Sequence, residues 1–301
     1  MTGRFADPAP ALRAPRPCVS DYPRTPGDRP MDEDAATGSR LSVLKFGSSV
    51  LGQPDDYLDA AAAIDIEAAR NRKVVAVVSA MGRTTDALLA AAGSVTGEPP
   101  DTLLGALLAT GEDASVALLT LALASRGVPA VGLDTRRVPV LTRGALDDAE
   151  PIFVDAGLVH ATLRTRAVVV FPGFVGEDVS GVPSLLGRGG SDLTALFLGD
   201  MLAASEIRLV KDVGGIFPSD PNGRGDLAPY AEVTWAEARR VGGGVVQPKA
   251  IDYAERRRIR FRVTGLRGAG TWVGGSEEAA DTAPAGCWTP PRFPETRRTR
   301  P

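Results

Sequence analysis

Short apolar, β-branched runs alternate with longer Ala/Leu-rich stretches through the middle of the chain. The runs at 41–46, 74–79, 129–133, 167–171, 207–213 and 259–263 read as strands, since each has strand length and is almost continuously apolar. Between them, residues 55–71, 84–92, 101–126, 155–165, 192–204, 234–241 and 248–258 have helical composition, with a break expected inside the third. Continuous apolar strands separated by helices predict an α/β fold, a mostly parallel sheet covered on both faces. Ligands then bind beyond the carboxyl ends of the strands. Glycine-bearing segments at Gly47, Gly173 and Gly214-Gly215 come directly after strands, where such a site belongs.

The two ends lack this pattern. Residues 1–40 are rich in Pro, Asp, Arg and Ala and hold no apolar run long enough for a signal peptide or a membrane span, so they are expected to be a disordered leader. Met31 stands shortly before the first strand and is a candidate translation start. The Pro-, Arg- and Glu-rich segment 275–301 is expected to be a disordered tail, which leaves 41–274 as the folded domain.

Composition narrows the partners. With 301 residues, 44% of them hydrophobic, the chain can bury a large core. A net charge of −3 gives no basic footprint, so neither nucleic acid nor an anionic membrane is expected as main partner. The only cysteines, Cys18 and Cys287, lie in the two unpatterned ends, which fits a reducing, cytoplasmic setting and excludes a Cys-rich metal site or disulfide scaffold. His160 is the single histidine, and its place before a polar Arg/Thr run reads as surface.

The segment richest in chemistry is Leu186-Gly187-Arg188-Gly189-Gly190-Ser191-Asp192, which leads into an apolar helical stretch. Glycines let the backbone approach a ligand, amides at a helix start point at negative charge, and Arg188 adds a planar fork suited to carboxylate or phosphate. A glycine turn with Asp192 as helix N-cap accounts for the same residues. Lys45-Phe46-Gly47-Ser48-Ser49 ends the first strand and could offer an ammonium and amides to phosphates, although a rim lysine is also an ordinary solvated charge. It is not a Walker A loop. Ser79-Ala80-Met81-Gly82-Arg83-Thr84-Thr85-Asp86 suits either a ligand contact or a helix cap. Thr110-Gly111-Glu112 reads as the opening of an Ala/Leu helix, where Glu112 either favours the dipole or receives an ammonium group.

In this order these motifs, with Phe171-Pro172-Gly173-Phe174-Val175-Gly176, Asp212-Val213, Gly215 and Asp220-Pro221, resemble aspartokinases of the amino acid kinase family. The resemblance runs over roughly 41–274, including Gly243, Gly244, Val245, Gln247-Pro248-Lys249 and Gly270-Thr271. It implies a three-layer αβα sandwich that transfers the γ-phosphoryl of ATP, with Mg2+, to the side-chain carboxylate of L-aspartate. It further implies that Glu112 pairs with the substrate ammonium and Arg188 with its α-carboxylate, while Ser79, Thr85, Phe174 and Ser191 line the same pocket. Lys45 would draw charge from the transferring group, Gly47 and Ser48 would cradle phosphate, and Asp192 would orient the lysines. Lys211, Asp212, Phe217 and Lys249 would attend the nucleotide. A homodimer is implied by the family alone.

Departures are confined to the nucleotide half and one loop. Gly47-Ser48-Ser49 is one residue shorter than the usual aspartokinase loop and resembles the glutamate 5-kinase form. Gly214 stands where the family has a carboxylate, Phe217 where it has a tyrosine, and Gly244 where it has a nucleotide lysine. Lys211 or Lys249 is expected to supply that charge, Lys211 being the nearer. After Gly274 there is no room for paired ACT domains, so feedback inhibition through such domains is not expected. Another carboxylate kinase of this fold, such as glutamate 5-kinase, and a non-catalytic regulatory homologue are the alternatives.

Overall fold

A computed structural model describes residues 41–219, 227–241 and 244–274. The leader, the tail, both cysteines, Asp220-Pro221 and Gly242-Gly243 lie outside the described residues.

The first half of the domain runs β1 (Leu41–Phe46), α1 (Asp56–Ala69), β2 (Lys73–Val78), α2 (Thr84–Val95), α3 (Asp101–Ser125) and β3 (Ala130–Gly132). Next come β4 (Leu141–Arg143), β5 (Glu150–Phe153), α4 (Ala156–Thr165), β6 (Val168–Pro172), β7 (Val175–Asp178) and β8 (Pro183–Leu185). The remainder is α5 (Gly190–Met201), β9 (Glu206–Val210), β10 (Glu232–Val233), α6 (Trp235–Val241), α7 (Pro248–Arg257), β11 (Phe261–Thr264) and β12 (Thr271–Val273).

Eight strands form the main sheet in the order β10-β12-β11-β9-β1-β2-β6-β3. Every pairing is parallel except β11 with β12. The central strands are apolar on both faces because both are covered. Val43, Val75, Val77, Val169 and Leu209 pack with α4, α5, α6 and α7, whereas Leu44, Phe46, Val74, Ala76 and Val170 pack with α1 and α3. These layers are the αβα sandwich expected from the sequence.

Three expectations need correction. Helix α3 is unbroken over its 25 residues. Its glycines are points of close approach: a Cβ on Gly105 would meet the Pro183 carbonyl oxygen at 3.0 Å, and one on Gly111 would meet Ala80 and Thr84 at 3.2 Å. Glu112 therefore sits in the middle of a long helix, and no helix-start dipole accounts for it. By length and composition α3 could cross a membrane, with a mean hydropathy of 1.5, but Val116, Leu119 and Leu123 are buried against the main sheet as a core helix. Second, α5 begins at Gly190 with Gly189 as N-cap, so Asp192 lies inside the first turn instead of capping it. Third, β4, β5, β7 and β8 form a separate four-stranded sheet, β5-β4-β7-β8, that the sequence pattern did not show. It meets α3 through Leu108, Val175 and Leu185.

Candidate active site

Pleating decides which side chains enter the site. Successive residues of a strand face opposite ways, so Lys45 shares the face of Val43, which is the face covered by α5. Strands β9, β1 and β2 are neighbours, and the first residue beyond β9 is Lys211, as the first beyond β2 is Ser79. These three polar groups converge on the first turn of α5. Lys45 Nζ lies 2.8 Å from Asp192 Oδ1, and Lys211 Nζ donates to Asp192 Oδ2 at 2.7 Å. Ser79 Oγ donates to Ser191 Oγ at 2.9 Å.

Burial sets the electrostatics. Asp192 is 3% exposed, which alone would raise its pKa, but the two ammonium groups outweigh that and hold the carboxyl below its usual range. Lys211 moves down, first because it is buried and then because Lys45 is near; Asp192 offsets part of this. The result is one carboxylate fixing two cations at the end of the sheet, open to a cavity of about 320 Å3. An anion entering that cavity meets a preorganised positive wall.

Glycines and one strained residue let α5 come this close. Gly173 comes directly after β6, and a Cβ there would stand 2.7 Å from Ser191 Cβ. Phe174 adopts a left-handed backbone, φ 67°, and its N–H donates to Thr194 Oγ1 at 3.1 Å. Gly187 and Gly189 have φ of 70° and 79°, conformations that glycine enters without strain. Arg188, between them, is exposed and makes no hydrogen bond or ion pair among the described residues. Arg188 borders the same cavity.

The same cavity is lined by Glu112, brought in by α3. It is 2% exposed, and Oε2 has no hydrogen-bond partner among the described residues. Burial pushes its pKa up to about 8, against the opposing effects of a backbone hydrogen bond from Ala80 and the charge of Lys45. A buried carboxyl with an unused oxygen beside a cavity has the chemistry to pair with a cation brought in by a ligand, ionising as it does so.

The cavity thus brings together Lys45, Gly47, Ser48, Ser79, Thr85, Glu112, Phe174, Arg188, Ser191, Asp192 and Lys211. Asp212, Phe217 and Lys249 do not border it. Asp212 is exposed, and Lys249 spends its ammonium elsewhere, on Asp148, Ala149 and Leu186. Two further lining residues, Val245 and Gln247, had been given no site role from the sequence. Gln247 is the N-cap position of α7, directly before Pro248, and the helix-start signal of that proline was the available clue.

Among the described residues, no group of three or more His, Cys, Asp or Glu is placed to hold a metal ion. Asp192 is already engaged by two lysines.

Comparison with known proteins gives this geometry a lineage. The chain is 32% identical over 226 residues to an aspartokinase of Bacillus sp. (strain MGA3), covering 74% of this chain and 55% of that protein. It thus spans about half the length of the curated relatives it matches. Among solved structures, aspartate kinase from Synechocystis superposes with a TM-score of 0.67 at 29% identity, over 78% of this chain and 40% of that one. E. coli aspartokinase III in complex with aspartate and ADP shares the fold, with a TM-score of 0.66 at 24% identity over 79% of this chain and 65% of that chain. Residues 40–265 match the amino acid kinase family as a whole, and the chain belongs to that family.

Proposed function

We propose that this domain is an aspartate kinase, transferring the γ-phosphoryl group of ATP to the side-chain carboxylate of L-aspartate and yielding 4-phospho-L-aspartate. The observation that carries this reading is Glu112, a buried carboxyl with an unpartnered Oε2 that lines the same cavity as Lys45 and Lys211. An α-amino acid has a cation to satisfy Glu112 and a carboxylate for the exposed fork of Arg188. Its side-chain carboxylate then faces Lys45. This two-point clamp orients one carboxylate as acceptor and excludes the other.

Phosphoryl transfer between oxygens asks the protein mainly for positioning and charge stabilisation. Lys45 and Lys211 stabilise the charge that develops on the transferring group, and Asp192 keeps both in place. Gly47 and Ser48 offer backbone and hydroxyl donors to phosphate at the end of β1. ATP would be used with Mg2+, which would offset the charge of its phosphates. The relatives named aspartokinase and the complex of E. coli aspartokinase III with aspartate and ADP support the same assignment.

A coupled ADP-release assay with aspartate, glutamate and N-acetylglutamate tests it. Aspartate-dependent turnover is expected, with N-acetylglutamate inert because it has no ammonium for Glu112. Preference for glutamate would make the domain another carboxylate kinase of this fold, and turnover with none of the three would reject the enzyme reading.

A further inference from the structure

Lys249 is the one cation of the expected nucleotide set that turns away from the cavity, and the way it is held points to a different duty. Its ammonium donates to the backbone oxygens of Asp148 at 3.3 Å, Ala149 at 3.1 Å and Leu186 at 3.0 Å, and to the Asp148 carboxylate. Three chain segments far apart in sequence meet there: the start of α7, the entry to β5, and the residue that opens the Gly187-Arg188-Gly189 loop.

Neighbouring segments also pack behind that loop at Leu186, Gly187 and Gly189. Leu186 donates its N–H to the Phe174 carbonyl at 2.8 Å and pairs with Asp148 in an isolated bridge. The space a Gly187 side chain would need is taken by the Asp148 carboxylate, and that of Gly189 by Gln247. Arg188 alone is free. Its guanidinium has no partner among the described residues, so the protein fixes only the point and direction at which the side chain leaves the loop backbone, and Lys249 ties that backbone to Asp148.

We propose that Lys249 is a positioning residue for Arg188: with Asp148 it holds the glycine loop from behind, and it contacts no phosphate. This rests on the reading of Arg188 as the group that takes the substrate α-carboxylate. It assigns to the start of α7 a role in affinity for the amino acid, with none in affinity for the nucleotide.

A second cavity, about 590 Å3, opens onto Lys249 from the side of α7 and β5, so a small amine can reach the place its ammonium occupies. Lys249→Met in the full chain is the primary test, and Lys249→Ala, whose truncated side chain leaves room for it, is assayed with ethylammonium as the replacement cation. Loss of a charge-assisted brace of this kind is expected to raise the KM for aspartate about tenfold while kcat and the KM for MgATP stay within about twofold. Ethylammonium should recover part of the aspartate affinity in Lys249→Ala and leave the wild type unchanged. Hydrogen exchange of the free protein adds a readout that needs no substrate: amides of residues 187–190 should exchange faster in the variant, with those of β1 and β2 unaffected.

Asp148→Asn removes the ion pair from a more exposed partner and should shift the same quantities in the same direction, which keeps the test decisive if Lys249→Met does not fold. A rise in the KM for MgATP in place of aspartate would make Lys249 a phosphate ligand and overturn the proposal. So would unchanged exchange of the loop. If the wild type shows no aspartate turnover, the aspartate kinase reading fails by itself, and loop exchange still decides whether Lys249 is the brace.

Discussion

Lys45 Nζ and Asp192 Oδ1 stand 2.8 Å apart, with side chains 7% and 4% exposed, at the junction of the central strand and the first turn of α5. The pair is buried but borders the cavity, so an anion bound there would meet an ammonium already paired with Asp192. Lys45→Ala is expected to lower kcat by at least about two orders of magnitude, the usual consequence of losing one preorganised charge donor. Steady-state kinetics with a thermal unfolding control would check this. Near wild-type turnover would remove Lys45 from the chemistry.

Lys211 is the second cation on Asp192, and burial together with Lys45 lowers its pKa. Lys211→Met leaves Asp192 with one partner and the cavity with one ammonium fewer. The expected outcome is a fall in kcat of about tenfold to a hundredfold and a higher KM for MgATP, with aspartate saturation little changed. Unaltered turnover and MgATP dependence would show that the nucleotide half works without Lys211.

Arg188 reaches the cavity from a loop with no side-chain support of its own. A planar fork binds a carboxylate through two parallel hydrogen bonds that a point ammonium cannot reproduce. Arg188→Lys is therefore expected to lower kcat/KM for aspartate nearly as far as Arg188→Ala does, by about a hundredfold. An Arg188→Lys enzyme with unchanged aspartate saturation would count against carboxylate recognition at this position.

Much of this was legible in the chain because it is local. β1, β2, β6, β9 and β11 are short, largely apolar runs, and Lys45, Ser79, Gly173 and Lys211 stand at or just beyond the ends of four of them. The small sheet was not legible, since its strands are three or four residues long and two of them contain Pro151 and Pro183. The continuity of α3 was hidden for a related reason: Gly105 and Gly111 weaken a helix in isolation, and only the packing of Pro183 and Ala80 against them shows why glycine is there. Lys249 needed the fold most of all, because the carbonyls it holds lie 63 to 101 residues away. Adjacency in the chain reveals the residues at the end of a strand. Only the fold reveals which loop returns behind them.

Glu112 links the fold to a measurable proton. In the folded protein its carboxyl holds a proton up to about pH 8, whereas in the unfolded chain it loses it near the ordinary value of 4.5. Between these values the folded state binds the additional proton, so this group's contribution to stability declines as pH rises through that window. Glu112→Gln, which cannot ionise, should flatten that decline, so that the free variant compares better with the wild type at pH 8.5 than at pH 5. The same proton reports substrate. An ammonium pairs with ionised Glu112, so binding aspartate at pH 7 should expel about one proton, and the release should fade as pH passes well above 8. Calorimetric titration in buffers of different ionisation enthalpy measures that number directly. In Glu112→Gln the release should vanish, and aspartate affinity should fall by about tenfold or more, the cost of leaving an ammonium without its charged partner. Binding with no proton release in the wild type at pH 7 would show that the amino group goes elsewhere, and the two-point clamp would have to be abandoned.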